Sequence, residues 1–147
     1  MSGHSRILAI DYGQKRVGIA ISDPLGFTAQ GLETIEGASS KELIAALGKI
    51  CSEWSVGEVV VGFPVNMNGS LGPKAEETNV FIEKLKAGLT VPVTTWDERL
   101  TSREAGRLMI EERLSRKKQR SQSDRIAATL ILQNYLEARR SRAGGNK

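Results

Sequence analysis

Arg6-Ile7-Leu8-Ala9-Ile10-Asp11-Tyr12-Gly13-Gln14-Lys15-Arg16-Val17-Gly18-Ile19-Ala20-Ile21-Ser22 is the stretch that decides the fold. Ile7 to Ile10 form an unbroken apolar run of the kind found in a central strand buried on both faces, and the run stops at an acid. Tyr12-Gly13-Gln14-Lys15 reads as a turn, and Arg16 to Ser22 alternates well enough to return as a second strand, antiparallel to the first. Asp23-Pro24-Leu25-Gly26 is a further turn signal, and Phe27 to Ile35 reads as a third strand. The chain therefore opens as a β-meander whose first strand ends in a carboxylate.

Outward from the meander the period changes. Ser39 or Ser40 can cap a helix reaching about Trp54, with Leu43, Ile44, Leu47, Ile50, Cys51 and Trp54 at three- and four-residue steps. Glu58 to Phe63 is a fourth strand around Val59-Val60-Val61, followed by a Gly/Asn-rich loop to Gly72. Pro73 suits the first position of a helix that runs to about Ala87, with Gly88 as its stop, and Val91 to Trp96 is a fifth strand. Thr101-Ser102-Arg103-Glu104 has capping-box form and predicts a helix to about Arg113. The final helix is predicted from about Ser123, and the small, polar tail Ser141 to Lys147 is expected to be disordered. A meander continued by β-α-β crossovers gives one α/β domain over residues 1–140, a five-stranded mixed sheet with its first three strands antiparallel and helices on both faces. This element order is similar to that of the ribonuclease H-like fold.

Composition narrows the chemistry. At 147 residues and 39% hydrophobic content the chain can bury one core. No apolar run approaches the roughly 20 residues of a spanning helix, and Met1 to Arg6 lacks a signal peptide's apolar stretch, so a cytoplasmic protein without membrane contact is expected. Cys51 is the only cysteine, which excludes an internal disulfide and a cysteine-built metal site; its spacing places it on a core-facing helix stripe. His4, the only histidine, lies at the extreme start, which argues against histidine-based acid/base or zinc chemistry. The formal charge is +4, and Arg113, Arg116, Lys117, Lys118, Arg120 and Arg125 face a single acid, Asp124, within one short segment. Such a local excess attracts polyanions.

The candidate chemistry lies in three acids. Asp11 follows the first strand, Asp97-Glu98 the fifth, and Asp124 opens the predicted last helix, whose macrodipole would favour its ionised form. In open α/β sheets, ligands bind beyond the carboxyl ends of the parallel strands, where all three can meet. Carboxylates packed together repel unless a cation neutralises them, and oxygen ligands without Cys or His select Mg²⁺ or Mn²⁺. Two such ions about 3.5 to 4 Å apart activate water on one side of a phosphodiester and stabilise the leaving oxygen on the other. Neighbouring strand residues point to opposite faces, so one of Asp97 and Glu98 reaches the metals.

Several side chains suit a nucleic-acid strand at the same rim. Asn66 and Asn68, in a loop directly after the fourth strand, can hydrogen-bond sugar or base edges. Lys15, Arg16, Arg99 and Arg103 flank the acids and can hold phosphates, and Arg116, Lys117, Lys118 and Arg120 read as a mobile clamp over the strand. Trp96 closes a strand and is expected in the core rather than stacked on a base. Aromatics make up only 5% of the chain, which argues against a stacking platform for single strands.

Ile7 to Gly13 through Val17-Gly18-Ile19-Ala20, then Val60-Val61-Gly62-Phe63-Pro64-Val65-Asn66-Met67-Asn68-Gly69, Asp97-Glu98-Arg99-Leu100-Thr101-Ser102, and Asp124-Arg125-Ile126-Ala127-Ala128 with Ile131-Leu132-Gln133 together resemble the YqgF (RuvX) family. The likeness covers about Arg6 to Arg140. It implies a ribonuclease H-like fold related to Holliday-junction resolvases, and a role in maturing the 5′ end of precursor small-subunit (16S) ribosomal RNA. Position by position, Asp11, Glu98 and Asp124 match the family's metal-binding acids. Ser121-Gln122-Ser123 departs from the apolar residue expected just before the third acid. Related nucleases carry a fourth carboxylate one turn beyond the third; here Ala127 and Ala128 stand there, which implies a second ion held weakly or partly by substrate.

The resemblance thus implies a metal-dependent endonuclease with structured RNA, or branched DNA, as substrate, acting on ribosomal precursor particles in the first case. A resolvase needs paired active sites, as in a homodimer, whereas an RNA-trimming enzyme does not, so monomer and homodimer both stay open. A non-catalytic nucleic-acid-binding module is the alternative of another class; retention of all three acids argues against it, since phosphate binding alone is helped by losing them. An ATPase reading of Asp11-Tyr12-Gly13 needs a second such domain, for which the chain has no room, and no Gly-x-x-x-x-Gly-Lys-Ser/Thr loop occurs.

Overall fold

The computed structural model describes residues 5–66, 68–100 and 116–145, the segments 116–124 and 141–145 as backbone alone. β1 (Arg6–Asp11), β2 (Arg16–Ser22) and β3 (Ala29–Glu36) form the predicted antiparallel meander. α1 (Ser40–Glu53) leads to β4 (Val56–Phe63), and α2 (Pro73–Gly88) to β5 (Val93–Asp97); a short 3-10 helix, Glu98–Leu100, follows, and α3 spans Arg116–Gly145. β4 pairs parallel with β1 and β5 parallel with β4, giving the order β3-β2-β1-β4-β5. The helix predicted from Thr101 to Arg113 lies outside the described residues, as does His4.

The all-apolar run of β1 has its physical reason in the two layers that cover it. Leu8 and Ile10 point with Val17, Ile19, Ile21, Val59 and Val61 into the layer of α1 and α2, against Leu43, Leu47, Phe81 and Leu85. Ile7 and Ala9 point with Ala20 and Val60 to the opposite side, against Ala128, Ile131, Leu132, Tyr135 and Leu136 of α3. The first face is built of large branched side chains and the second mostly of small ones, so α3 lies close on the sheet. At Gly31 a Cβ would fall 2.3 Å from Arg125 Cγ, and at Gly62 2.5 Å from Ile131 Cδ1. Trp96 packs half-buried against this second layer, edge-on to Tyr135 with centroids 6.0 Å apart. Cys51 packs half-buried against the first layer, and burial pushes its thiol above the ordinary value.

Element ends differ from expectation where hydrogen bonding outweighs pattern. β3 begins at Ala29 rather than Phe27, because the Asp23 carboxylate accepts the backbone N–H groups of Leu25, Phe27 and Thr28 and holds both residues in the turn. These bonds, Thr28's first, keep the Asp23 carboxyl below its usual range. β5 begins at Val93, just after Pro92, which has no N–H to give and whose carbonyl accepts from Val59 N at 2.9 Å. Gly88 is the last residue of α2 rather than the stop beyond it; a Cβ there would meet Ile44 Cγ2 at 2.5 Å, so close packing of α2 on α1 requires the glycine.

The largest correction concerns α3, which begins at Arg116 rather than Ser123. The segment expected to be a mobile clamp, Arg116, Lys117, Lys118 and Arg120, is helical backbone. Arg, Lys and Gln are strong helix formers, and no Gly or Pro interrupts the chain from Arg116 until Gly144. The same continuity carries the helix to Gly145, into the tail expected to be disordered. Asp124 is consequently an interior helix position, and the N-terminal macrodipole invoked for it, which acts within the first turn, does not reach it.

Of the two cap candidates for α1, Ser39 is the N-cap; its Oγ accepts from Glu42 N, and Glu42 Oε1 accepts from Ser39 N at 2.9 Å. Ser39→Ala is expected to lower stability by about 1 kcal/mol. Denaturant titration checks this as a shifted midpoint at constant slope, and an unchanged midpoint would contradict it.

Candidate active site

β1, β4 and β5 are parallel and end at one rim of the sheet, the place where ligand sites form in such folds. Asp11 closes β1. Side chains alternate along a strand, so Asp11 shares the α3 face with Ile7 and Ala9. The register sets Ile10 opposite Val61, which puts Asp11 beside Gly62 of β4; its partner on the other side is Gly18 of β2.

The second acid reaches the same place from β5. Trp96 pairs with Gly62 and faces α3, so Asp97 falls on the alternate side, and the 3-10 helix then returns Glu98 to the α3 face. A Cβ on Gly62 would lie 3.2 Å from Glu98 Cγ and 3.3 Å from its Cδ, so the carboxylate arm lies across the space the glycine leaves open. Asp11 and Glu98 thus converge around Gly62 at the carboxyl ends of three parallel strands.

Asp97 is engaged elsewhere. Arg99 gives it a backbone N–H at 2.9 Å, Nε at 3.1 and 3.2 Å, and Nη2 at 2.7 Å. Hydrogen bonds from the Arg99 side chain and then its backbone hold the Asp97 carboxyl below the usual carboxylate range. Arg99, expected beside a phosphate, is occupied with its neighbour, and the two brace the turn that carries Glu98.

The remaining predicted residues divide. Asn66 Nδ2 donates to Ser70 Oγ at 3.0 Å, and Asn68 Oδ1 accepts from Ser70 N and Oγ at 3.0 and 2.6 Å, so these groups fold the loop on itself. Lys15 and Arg16 sit at the β1–β2 hairpin next to Asp11. Arg103 lies outside the described residues, and Arg116, Lys117, Lys118, Arg120 and Asp124 are backbone positions in α3. Asp124 stands two helical turns before Ile131, whose Cδ1 shares the space over Gly62 with Glu98. Among the described residues no three His, Cys, Asp or Glu side chains gather at one point. The two acids that are placed supply oxygen donors alone, a set that fits Mg²⁺ or Mn²⁺.

Gly62 lies between the valine run of β4 and the Gly/Asn-rich loop, and the structure uses it to seat Glu98. A glycine directly after Val59-Val60-Val61 was the available signal, since a glycine in a strand often marks the close approach of another group. Arg125, counted in the basic segment by its charge, packs on the sheet instead. Its stem crosses β3 at Gly31, and its buried Nε has no hydrogen-bond partner. Nothing local in the sequence announces that contact.

The profile of the RuvX family, described as Holliday junction resolvase, matches residues 5–138. A Clostridium acetobutylicum protein named "Putative pre-16S rRNA nuclease" is 48% identical over 133 residues, covering 90% of this chain and 98% of the relative. A Moorella thermoacetica protein of the same name is 49% identical over 132 residues, covering 90% and 94%. Among solved structures, Thermus thermophilus RuvC in complex with Holliday junction substrate superposes with a TM-score of 0.61 at 15% identity, over 92% of this chain and 96% of that one. The fowlpox virus Holliday junction resolvase gives 0.51 at 15% identity, over 90% and 99%. These two likenesses are of fold, and they agree with the ribonuclease H-like architecture expected from the element order. With a family profile matched along nearly its whole length and relatives close to half identical over nine tenths of it, the chain belongs to the RuvX family.

Proposed function

We propose that the protein is a divalent-metal-dependent endonuclease that hydrolyses phosphodiester bonds and trims the 5′ end of precursor 16S ribosomal RNA in the cytoplasm, on the ribosomal precursor particle. The observation that carries this reading is the meeting of Asp11 and Glu98 around Gly62, in a chain 48% identical to a relative named as a pre-16S rRNA nuclease. Asp11, Glu98 and Asp124 would hold Mg²⁺ or Mn²⁺. Support for Asp124 is its seven-residue spacing from Ile131, which by helical period puts both positions on one side of α3. When bound, the ion would supply Lewis-acid polarisation of the phosphoryl oxygen and would make a bound water more acidic than bulk water, easing its conversion to the attacking hydroxide.

The chain's own groups do the positioning. Three carboxylates alone would repel a phosphodiester, so the strand needs cations around the rim, and Lys15 and Arg16 on the hairpin adjoin Asp11. The Asp97–Arg99 pair holds the turn from which Glu98 projects. Fixing Asp11 on a strand end and Glu98 on the braced 3-10 turn after a strand keeps them in place before substrate arrives, which lowers the ordering cost of the reaction.

Cleavage of branched DNA by a homodimer is the second reading, favoured by the family description and by the fold shared with a junction-bound RuvC. Gel assays on a 5′-extended 16S precursor fragment and a four-way DNA junction separate the two. The RNA is expected to be cut with Mg²⁺ or Mn²⁺ and not in EDTA. Junction cutting alone would move the assignment to a resolvase, and no cutting of either, or equal cutting in EDTA, would remove metal-dependent hydrolysis.

A further inference from the structure

The β1–β2 hairpin and the start of α2 flank an open cavity of about 550 Å³, lined among others by Tyr12, Gln14, Lys15, Arg16, Lys74 and Glu77. Its volume lies within the range of small-ligand sites, roughly 300–1,000 Å³, and suffices for one nucleotide unit. Three cations and one acid line it, and that acid is drawn to the wall, since Gln14 Nε2 donates to Glu77 Oε1 at 2.9 Å. The floor is firm: the Tyr12 ring stacks on Phe81 with centroids 4.3 Å apart and planes 12° from parallel. The hairpin itself is set by Gly13, where a Cβ would lie 2.6 Å from the Arg16 carbonyl oxygen, a backbone atom that has little room to retreat.

Its position relative to the acids is informative. Tyr12 directly follows Asp11, yet Tyr12 packs with the layer of α1 and α2 whereas Asp11 is on the α3 face. The cavity and Asp11 thus lie on the two sides of one strand end, and a strand lying on the acids would reach the cavity by crossing the hairpin. Lys74 enters through α2, far from Asp11 in sequence, and is brought there only by the fold.

We propose that this cavity is a subsite for the sugar-phosphate backbone flanking the cut, with Lys15 and Lys74 on its phosphate. The subsite rests on the nuclease reading and adds Lys74 and Glu77 as groups that set how substrate is held. Removing the negative charge of Glu77 should therefore improve binding, an outcome that a merely structural role for these residues does not produce.

The test is fluorescence anisotropy of a fluorescein-labelled single-stranded RNA in EDTA, where cleavage does not interfere. Lys74→Glu is expected to weaken binding about tenfold and to lower the slope of log affinity against log salt by about one, as loss of a phosphate contact does. The variant puts an acid in the first turn of α2, which favours the helix, so folding is retained. Glu77→Gln, which keeps the bond to Gln14, is expected to tighten binding about twofold to threefold. Lys86→Glu, near the far end of α2, carries the same charge change and is expected to alter affinity less than twofold. In cleavage assays Lys74→Glu should raise KM and leave kcat unchanged. Equal effects at Lys74 and Lys86, or no tightening in Glu77→Gln, would overturn the subsite. Wild-type protein that binds as expected but cuts nothing would overturn the nuclease reading and leave the subsite standing.

Discussion

Asp11→Asn and Glu98→Gln are each expected to lower metal-dependent cleavage by about two to three orders of magnitude, whereas Asp97→Asn lowers it only a few-fold. Even partners in the outer shell of a metal site cost about 10- to 100-fold when removed, and a direct ligand costs more. An amide keeps the volume of the carboxylate while losing the negative charge that holds the ion, so the fold should remain. Asp97 differs because its carboxylate is already satisfied by four hydrogen bonds from Arg99. Its loss relaxes the turn without removing a ligand, and an ion pair this exposed contributes little to stability. Single-turnover cleavage with circular dichroism on the same preparations tests the contrast. Equal losses in Asp97→Asn and Glu98→Gln would contradict the assignment of Glu98 to the rim, and full activity in Asp11→Asn would remove Asp11 from the mechanism.

Gly62→Val is expected to abolish cleavage to the same degree while costing about 1–3 kcal/mol of stability, the usual range for overpacking. The first added carbon alone would stand 2.5 Å from Ile131 Cδ1 and 3.2 Å from Glu98 Cγ. Ile131 is 1% exposed and enclosed by its layer, so it has little room to withdraw. Glu98, at the rim, is the side chain that gives way, and with it the second carboxylate leaves the site. Gly62→Ala should fall between wild type and Gly62→Val in both activity and melting temperature. If Gly62→Val cleaved as well as wild type, Glu98 would not act from the seat described above.

The contrast between these two residues reflects what each kind of information carries. Asp11 was legible because a carboxylate ending a four-residue apolar run stands out against its neighbours. Gly62 was visible as the residue that ends a valine run, but its purpose depends on Glu98, which arrives from the turn after another strand. The choice between Asp97 and Glu98 stayed open in one dimension, since strand alternation predicts that one of them faces the site and does not say which. In the structure the 3-10 helix at Glu98–Leu100 turns Glu98 toward Gly62, and the bonds from Arg99 engage Asp97.

The sequence by itself determined the meander, both β-α-β crossovers, the Ser39-or-Ser40 start of α1 and the place of Asp11 at the end of the first strand, because each is written in a local period, a turn signal or a break in polarity. Only the tertiary structure decided the strand order β3-β2-β1-β4-β5, the seat of Glu98 on Gly62, the crossing of Arg125 over Gly31 and the meeting of Lys15 with Lys74. It also moved the start of α3 to Arg116 and that of β3 to Ala29. Side-chain periodicity says which face a residue presents, but what that face meets is set by crossover packing and by hydrogen bonds between segments distant in the chain.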